Sequence, residues 1–139
     1  MEGGGDRRDI RAAAEAAVIL LDTHAVIWMA QGHRRVRLLD RFPRIYLSPA
    51  SVLEVEFLIE AGRLRLGQGQ SLITLMHDQR WRLDDPPAAK WFGGACELSW
   101  TRDPFDRLLA AHARLRGWKL ATADTLLLDR LPPSDVMPW

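Results

Sequence analysis

Asp22, Glu54, Asp106 and Asp124 each stand where a hydrophobic segment meets the start of a predicted helix. Their settings are Val18-Ile-Leu-Leu-Asp-Thr-His24, Ser48-Pro-Ala-Ser-Val-Leu-Glu-Val55, Arg102-Asp-Pro-Phe-Asp-Arg-Leu-Leu109 and Leu120-Ala-Thr-Ala-Asp-Thr125. Where strands and helices alternate, strand ends converge on one edge of the sheet, and ligands bind there. Carboxylates gathered at such an edge repel one another and call for a cation. An oxygen-only donor set suits Mg²⁺ or Mn²⁺, so the pattern points to metal-assisted chemistry on a phosphate.

Each acid also has a structural explanation. A carboxylate near a helix N-terminus stabilises the macrodipole by about 0.3–1 kcal/mol. Asp103 and Asp106 have the spacing of a capping box, with Asp in the Glu place. Glu54 and Asp22 fit this explanation least. Glu54 falls past the first turn of its helix, among Val52, Leu53, Val55, Phe57, Leu58 and Ile59, and Asp22 directly follows a buried strand. An idle charge is costly in either place.

Other residues nearby divide between site and scaffold. Asp103 reads as a cap that could touch a metal-bound water, and Glu56 as a solvated or ion-paired side chain on a different helix face. Thr23 and Thr122 could hold a carboxylate or a water, or bond locally to backbone. Arg102 and Arg107 flank the acids and are candidate phosphate contacts, with Arg107 equally able to pair with an acid. His24 reads as a packing or turn residue that could reach the site, and His112 as a core residue. No Ser-His-Asp pattern or Gly-rich phosphate loop is evident.

The elements that must position these residues follow from local chemistry. Val18 to Leu21 is a continuous apolar run, as in a strand buried on both faces. A short helix over Ala25 to Ala30 follows, and Gly32 with His33-Arg-Arg35 breaks the pattern. Ile45 to Leu47 reads as a second strand. Ser48 caps the next helix, with Pro49 at its first position and Gly62 as its stop. Leu72 to Met76 is predicted helical, Asp84-Asp-Pro-Pro87 a turn, and Ala88 to Leu98 a helix weakened by Gly93-Gly94. Asp103 and Pro104 start the clearest helix. Phe105, Leu108, Leu109, His112 and Leu115 form its apolar face, and Gly117 ends it. Lys119 to Thr122 is a strand, Leu126 to Leu131 a short helix, and Val136 part of a final edge strand. This order implies an α/β fold with a mostly parallel sheet.

The 139 residues fit one domain, and an apolar content of 47% supports a sizeable core. Basic residues number 19 and acidic 18, for a formal net charge of +1, so no global field draws nucleic acid. Such binding would have to come from a local patch or a partner. Seventeen of the cations are Arg, suited to phosphate but equally at home on solvated helix faces. Cys96 is the only cysteine. This excludes an internal disulfide or a Cys-based zinc site, fits a cytoplasmic location and suggests a small buried hydrophobe. The apolar stretch Ala12 to Leu21 is interrupted by Glu15 and too short to span a membrane. Asp22 and His24 end it without a signal-peptide cleavage site. The six tryptophans are scattered, which favours core or dimer packing over RNA stacking.

The four segments resemble those of PIN-domain ribonucleases, most of all VapC-type toxins of type II toxin–antitoxin pairs. The likeness runs from Val18 to the C-terminus, and Asp103-Pro-Phe-Asp-Arg-Leu-Leu109 is its most specific piece. The resemblance implies a Rossmann-like three-layer α/β/α sandwich over 18–139, while residues 1–17, whose start is polar, Gly-rich and then Ala-rich, read as an N-terminal extension, disordered or helical. It further implies a homodimer, a cognate antitoxin and cytoplasmic, Mg²⁺- or Mn²⁺-dependent endoribonuclease activity. It places the catalytic and metal-binding site on Asp22, Glu54, Asp106 and Asp124. Many similar toxins have Trp just before the second acid and Lys four residues after it, where this chain has Leu53 and Leu58. A His often precedes the third segment, where this chain has Thr101.

An alternative is a catalytically inactive PIN-like module that binds RNA or protein. A dehalogenase-type phosphatase would need a second Asp two residues after the first, where His24 stands. A receiver-like domain would need an acidic pair that the first strand lacks.

Overall fold

The computed structural model describes residues 17–139. The predicted extension therefore lies, apart from Ala17, outside the described residues. Five strands form one sheet: β1 (Val18–Leu21), β2 (Arg44–Leu47), β3 (Arg82–Leu83), β4 (Lys119–Thr122) and β5 (Val136–Pro138). Their order is β3-β2-β1-β4-β5 and every pairing is parallel. The helices are α1 (Thr23–Ala30), α2 (Pro49–Glu60), α3 (Leu72–Met76), α4 (Ala88–Cys96), α5 (Pro104–Arg116) and α6 (Thr125–Arg130), with 3₁₀ turns at Arg34–Arg41 and Pro133–Asp135.

β1 is buried on both faces, as its unbroken apolar run requires. Ile19 and Leu21 join Ile45, Leu47 and the inner faces of α1 and α2, around Val26, Met29 and Val55. Leu20, on the opposite face, joins Leu120, Leu109 and Ala113 of α5, and Leu127 of α6. Each such side chain contributes about 1.5–3 kcal/mol by leaving water. α4 completes that layer by packing Trp91 and Ala95 against Ala110 and Ala111. The result is the expected α/β/α sandwich.

The differences from the sequence reading have local causes. Arg34–Arg41 is a 3₁₀ turn because Val36 and Leu39, three apart, anchor in the core while its arginines face water. β3 has two exposed residues, so no apolar pattern announces it. Cys96, expected to be buried, is exposed: α4 turns Trp91 and Ala95 inward and leaves Cys96 on its outer side. Gly117, at φ 70°, closes α5 in a left-handed conformation and returns the chain to β4. Among the described residues, no helix is long and apolar enough to cross a membrane.

Candidate functional site

The strand order reverses between β1 and β4, and in open α/β sheets ligands bind outside the carboxyl ends of the strands at such a switch point. Asp22 directly follows β1, and Asp124 lies two residues beyond β4. Asp22 caps α1, its Oδ1 accepting the Ala25 N–H at 2.7 Å, and Asp124 caps α6 through the Leu127 N–H at 3.0 Å. Both caps engage Oδ1 and leave Oδ2 clear of those contacts. Asp103 caps α5, with Oδ1 accepting the N–H groups of Phe105 (2.8 Å) and Asp106 (3.2 Å). The reciprocal half of a capping box does not form. The Asp103 N–H goes to Thr101 Oγ1 at 3.2 Å, which leaves the Asp106 carboxylate free of that duty. Glu54 projects half-buried from α2, past its first turn.

The electrostatics show that the acids share one space. Burial, then the charges of Asp103, Asp124, Glu54 and Asp22, push the Asp106 carboxyl up to about 7. Asp22, only 4% exposed, is raised by burial to about 6, against the pull of the Ala25 N–H and the Thr122 hydroxyl. Burial also raises Glu54, with Asp103 adding to the effect and the Thr23 hydroxyl opposing it. Thr23 has one proton to give: it reaches Ser51 Oγ at 3.1 Å and also favours the Glu54 carboxylate. Among the described residues, no Lys or Arg forms an ion pair with any of the four acids. Nor do three His, Cys, Asp or Glu side chains already stand at metal-holding distance. A cation would be drawn by the charge, and small side-chain rotations would have to close the oxygens around it.

The flanking residues take definite places. Arg107 Nε donates to the Thr101 carbonyl at 2.7 Å, which orients its guanidinium without pairing it to an acid. Arg102 is exposed. His24 is exposed in the first turn of α1 rather than packed, and its positive charge, when present, favours the ionised forms of Asp22 and Glu54. Leu53 is exposed, while Leu58 packs against the core. Phe57 on α2 meets Phe105 on α5 edge to face at 5.5 Å beside the acids.

One network went unseen in the sequence. His112 is buried, as expected, but it is hydrogen-bonded at both ends: Nδ1 lies 2.9 Å from Ser48 Oγ and Nε2 lies 2.7 Å from Asp84 Oδ2. Arg116 Nε donates to the same Asp84 oxygen at 2.8 Å. A neutral ring satisfies every group, with Nε2–H donating to Asp84 and Nδ1 accepting from Ser48, whose oxygen also accepts the Ala50 N–H. Ser48 and His112 are both fully buried, so no substrate reaches this Ser-His-Asp line. It ties the start of α2, the middle of α5 and the end of β3 together. Burial lowers the His112 pKa, against the opposing pull of Asp84. Asp84 is held below the usual carboxylate range because Arg116 and His112 together outweigh its burial. The signal available in the sequence was a histidine on an apolar helix face, which requires polar partners from elsewhere.

A PIN domain family model matches residues 19–132, and the chain belongs to that family. Ribonuclease VapC22 of Mycobacterium tuberculosis (strain ATCC 25618 / H37Rv) is 25% identical over 127 residues, covering 87% of this chain and 98% of that protein. A toxin–antitoxin complex from Klebsiella pneumoniae contains a chain of the same fold (TM-score 0.64, 18% identity, 86% of this chain and 95% of that one). FitAcB from Neisseria gonorrhoeae is similar at TM-score 0.54 and 25% identity, over 88% of this chain and 96% of its own.

Proposed function

We propose that this chain is the ribonuclease toxin of a toxin–antitoxin pair. It hydrolyses RNA phosphodiester bonds at Asp22, Glu54, Asp106 and Asp124, with Mg²⁺ or Mn²⁺ as cofactor. The observation behind this reading is that Asp22, Glu54 and Asp106 are buried or half-buried, that burial and then its acidic neighbours raise the proton affinity of Asp106, and that no Lys or Arg among the described residues pairs with any of the four acids. Their oxygen-only donor set fits a hard divalent ion. The similarity to the ribonuclease VapC22 and to a chain of a toxin–antitoxin complex supports the same reading.

When bound, the ion would polarise the phosphate and lower the pKa of an attacking water. The chain supplies the rest. Asp22 and Asp124 are held by their caps through Oδ1, which leaves Oδ2 outside those contacts. Glu54 and Asp106 come from helices on opposite faces of the sheet, α2 and α5. One of the four orients the attacking water. Arg107, aimed by Thr101, and the exposed Arg102 contact the substrate phosphates. A cognate antitoxin blocks this cleft, and the chain works as a homodimer. The presence of all four acids in the sequence favours catalysis over the alternative of an inactive binding module.

The test is cleavage of labelled RNA with Mn²⁺ or Mg²⁺, wild type beside Asp106→Asn. Wild type should cut, and the variant should lose about 10²-fold or more, the range for a group acting on the reacting water. Equal rates in the two proteins would overturn the assignment.

A further inference from the structure

The amino ends of the strands, opposite the acids, have the reverse charge. Residues 34–44 contribute five arginines, and Arg80 and Arg82 add two more just before and within β3. Within residues 34–44 and 78–82, Asp40 and Asp78 oppose these seven, a local excess of five positive charges on a chain whose net charge is +1. A cavity of about 600 Å³ opens here, lined by Arg44, Tyr46, Gln79, Arg80, Trp81 and Arg82 among others. Arg80 is fixed by Asp78 (Nε at 3.0 Å, Nη2 at 2.8 Å) and by the Met29 carbonyl (2.6 Å). It also lines a smaller adjoining cavity with Arg37 and Asp40, so the basic surface is continuous. Arg44 and Arg82 are exposed, and among the described residues their guanidinium groups bond to nothing. Tyr46 pairs in register with Arg82 and stacks on Trp118 at 4.2 Å, which places an aromatic surface beside the cations. An arginine on a short edge strand discourages strand addition, which accounts for Arg82 but not for the five arginines in 34–44.

We infer that this basic groove is a second RNA-binding surface, gripping phosphodiester backbone several nucleotides from the bond that is cut. The inference rests on the ribonuclease reading above. Clustered arginines, with Arg44 and Arg82 unpaired, beside an aromatic pair suit an extended polyanion. A four-residue strand spans about 13 Å, so RNA touching both ends of the sheet must continue well past the scissile phosphate. The acidic cleft repels the very polymer it is to cut, and a remote cationic surface offsets that repulsion. The local patch that the near-neutral net charge requires is thereby located.

The test uses the full chain with the paired substitutions Arg44→Glu and Arg82→Glu, and a gentler Arg44→Gln/Arg82→Gln pair in case the first misfolds. Fluorescence anisotropy would follow mixed-sequence single-stranded RNAs of about five and about thirty nucleotides, bracketing the usual single-strand site sizes. The long RNA should bind at least about tenfold more weakly to the variants, and its salt slope should fall by about 0.7 per lost phosphate contact. Binding and Mn²⁺-dependent cleavage of the short RNA should be unchanged. Equal long-RNA affinity and slope in wild type and variants would overturn the inference even if both proteins cut RNA. So would variants that lose binding to polyglutamate but not to RNA, since the groove would then serve an acidic protein. Conversely, wild type that binds the long RNA through these arginines but cuts neither length would uphold the groove and overturn the nuclease reading.

Discussion

At the scale of single residues, the acids are placed against their own stability. The folded Asp22 and Asp106 carboxyls sit at about 6 and about 7, against an ordinary value of 3.8. The folded state therefore binds more protons than the unfolded chain between about pH 4 and pH 7. Their stabilisation is fully present below 3.8 and is lost as pH rises through the folded values. Metal-free protein should thus melt at progressively lower temperature from pH 5 to pH 8, to the extent that these two groups dominate. Asp106→Asn, which removes one of the repelling charges, should melt higher than wild type at pH 8. Mn²⁺ should reverse the order: at 100 times its dissociation constant, a ligand adds about 2.7 kcal/mol to the protein that binds it. Thermal melts of both proteins with and without Mn²⁺ check this. A metal response in neither would overturn the assignment of the acids as a metal site.

At the scale of elements, the site depends on how α2 and α5 are held. Glu54 and Asp106 lie on different helices, and only packing sets their separation. Two contacts do so: the Phe57–Phe105 edge-to-face pair near the acids, and the buried Ser48–His112–Asp84 line. Replacing His112 by Ala leaves Ser48 without its ring partner and opens a cavity in a closed layer. We expect a loss of about 1–3 kcal/mol, the cost of orphaning a buried polar group. His112 also gives an acid limit of opposite sign to that of the carboxylates. Its folded pKa lies below the ordinary 6.5, so the unfolded chain binds the extra proton. Its contribution is whole above 6.5 and declines as pH falls from there toward the lowered folded value. Chemical denaturation at pH 5 and pH 7.5 should show a larger stability gap between wild type and His112→Ala at the higher pH. A gap independent of pH would show that the ring does not titrate within that window.

At the scale of the whole molecule, the chain is an electrostatic dipole that its net charge conceals. The carboxyl ends of the strands gather acids, and the amino ends gather arginines. Opposite charge at the two ends suits a protein that meets a polyanion and a cation at different places. If the acidic end cuts cellular RNA, expressing the chain alone should arrest bacterial growth, and Asp106→Asn should relieve the arrest at equal protein level. Plating and growth curves on induction check this. Unrelieved arrest by the variant would separate toxicity from the acids.

The local elements were legible because their causes are local. The apolar run of β1, the Ser48-Pro49 and Asp103-Pro104 starts and the Gly117 stop all act within a few residues, and the structure has each of them. The parallel α/β class followed from their order. Asp22 and Glu54 stood out because a charge directly after a buried strand, or within an apolar helix, is out of place whatever the fold, and Asp106 and Asp124 because they too stand where an apolar segment meets a helix start. What adjacency in sequence does not specify was decided by tertiary packing. The two-residue β3 exists only because β2 offers it an edge. Cys96 faces outward because α4 turns Trp91 and Ala95 toward α5. His112 became a bonded residue because Ser48 and Asp84, 64 and 28 positions away, were folded against it. The arginines of 34–44 and of 80–82 became one surface for the same reason: hydrophobic burial of strands distant in sequence sets which charges must lie side by side.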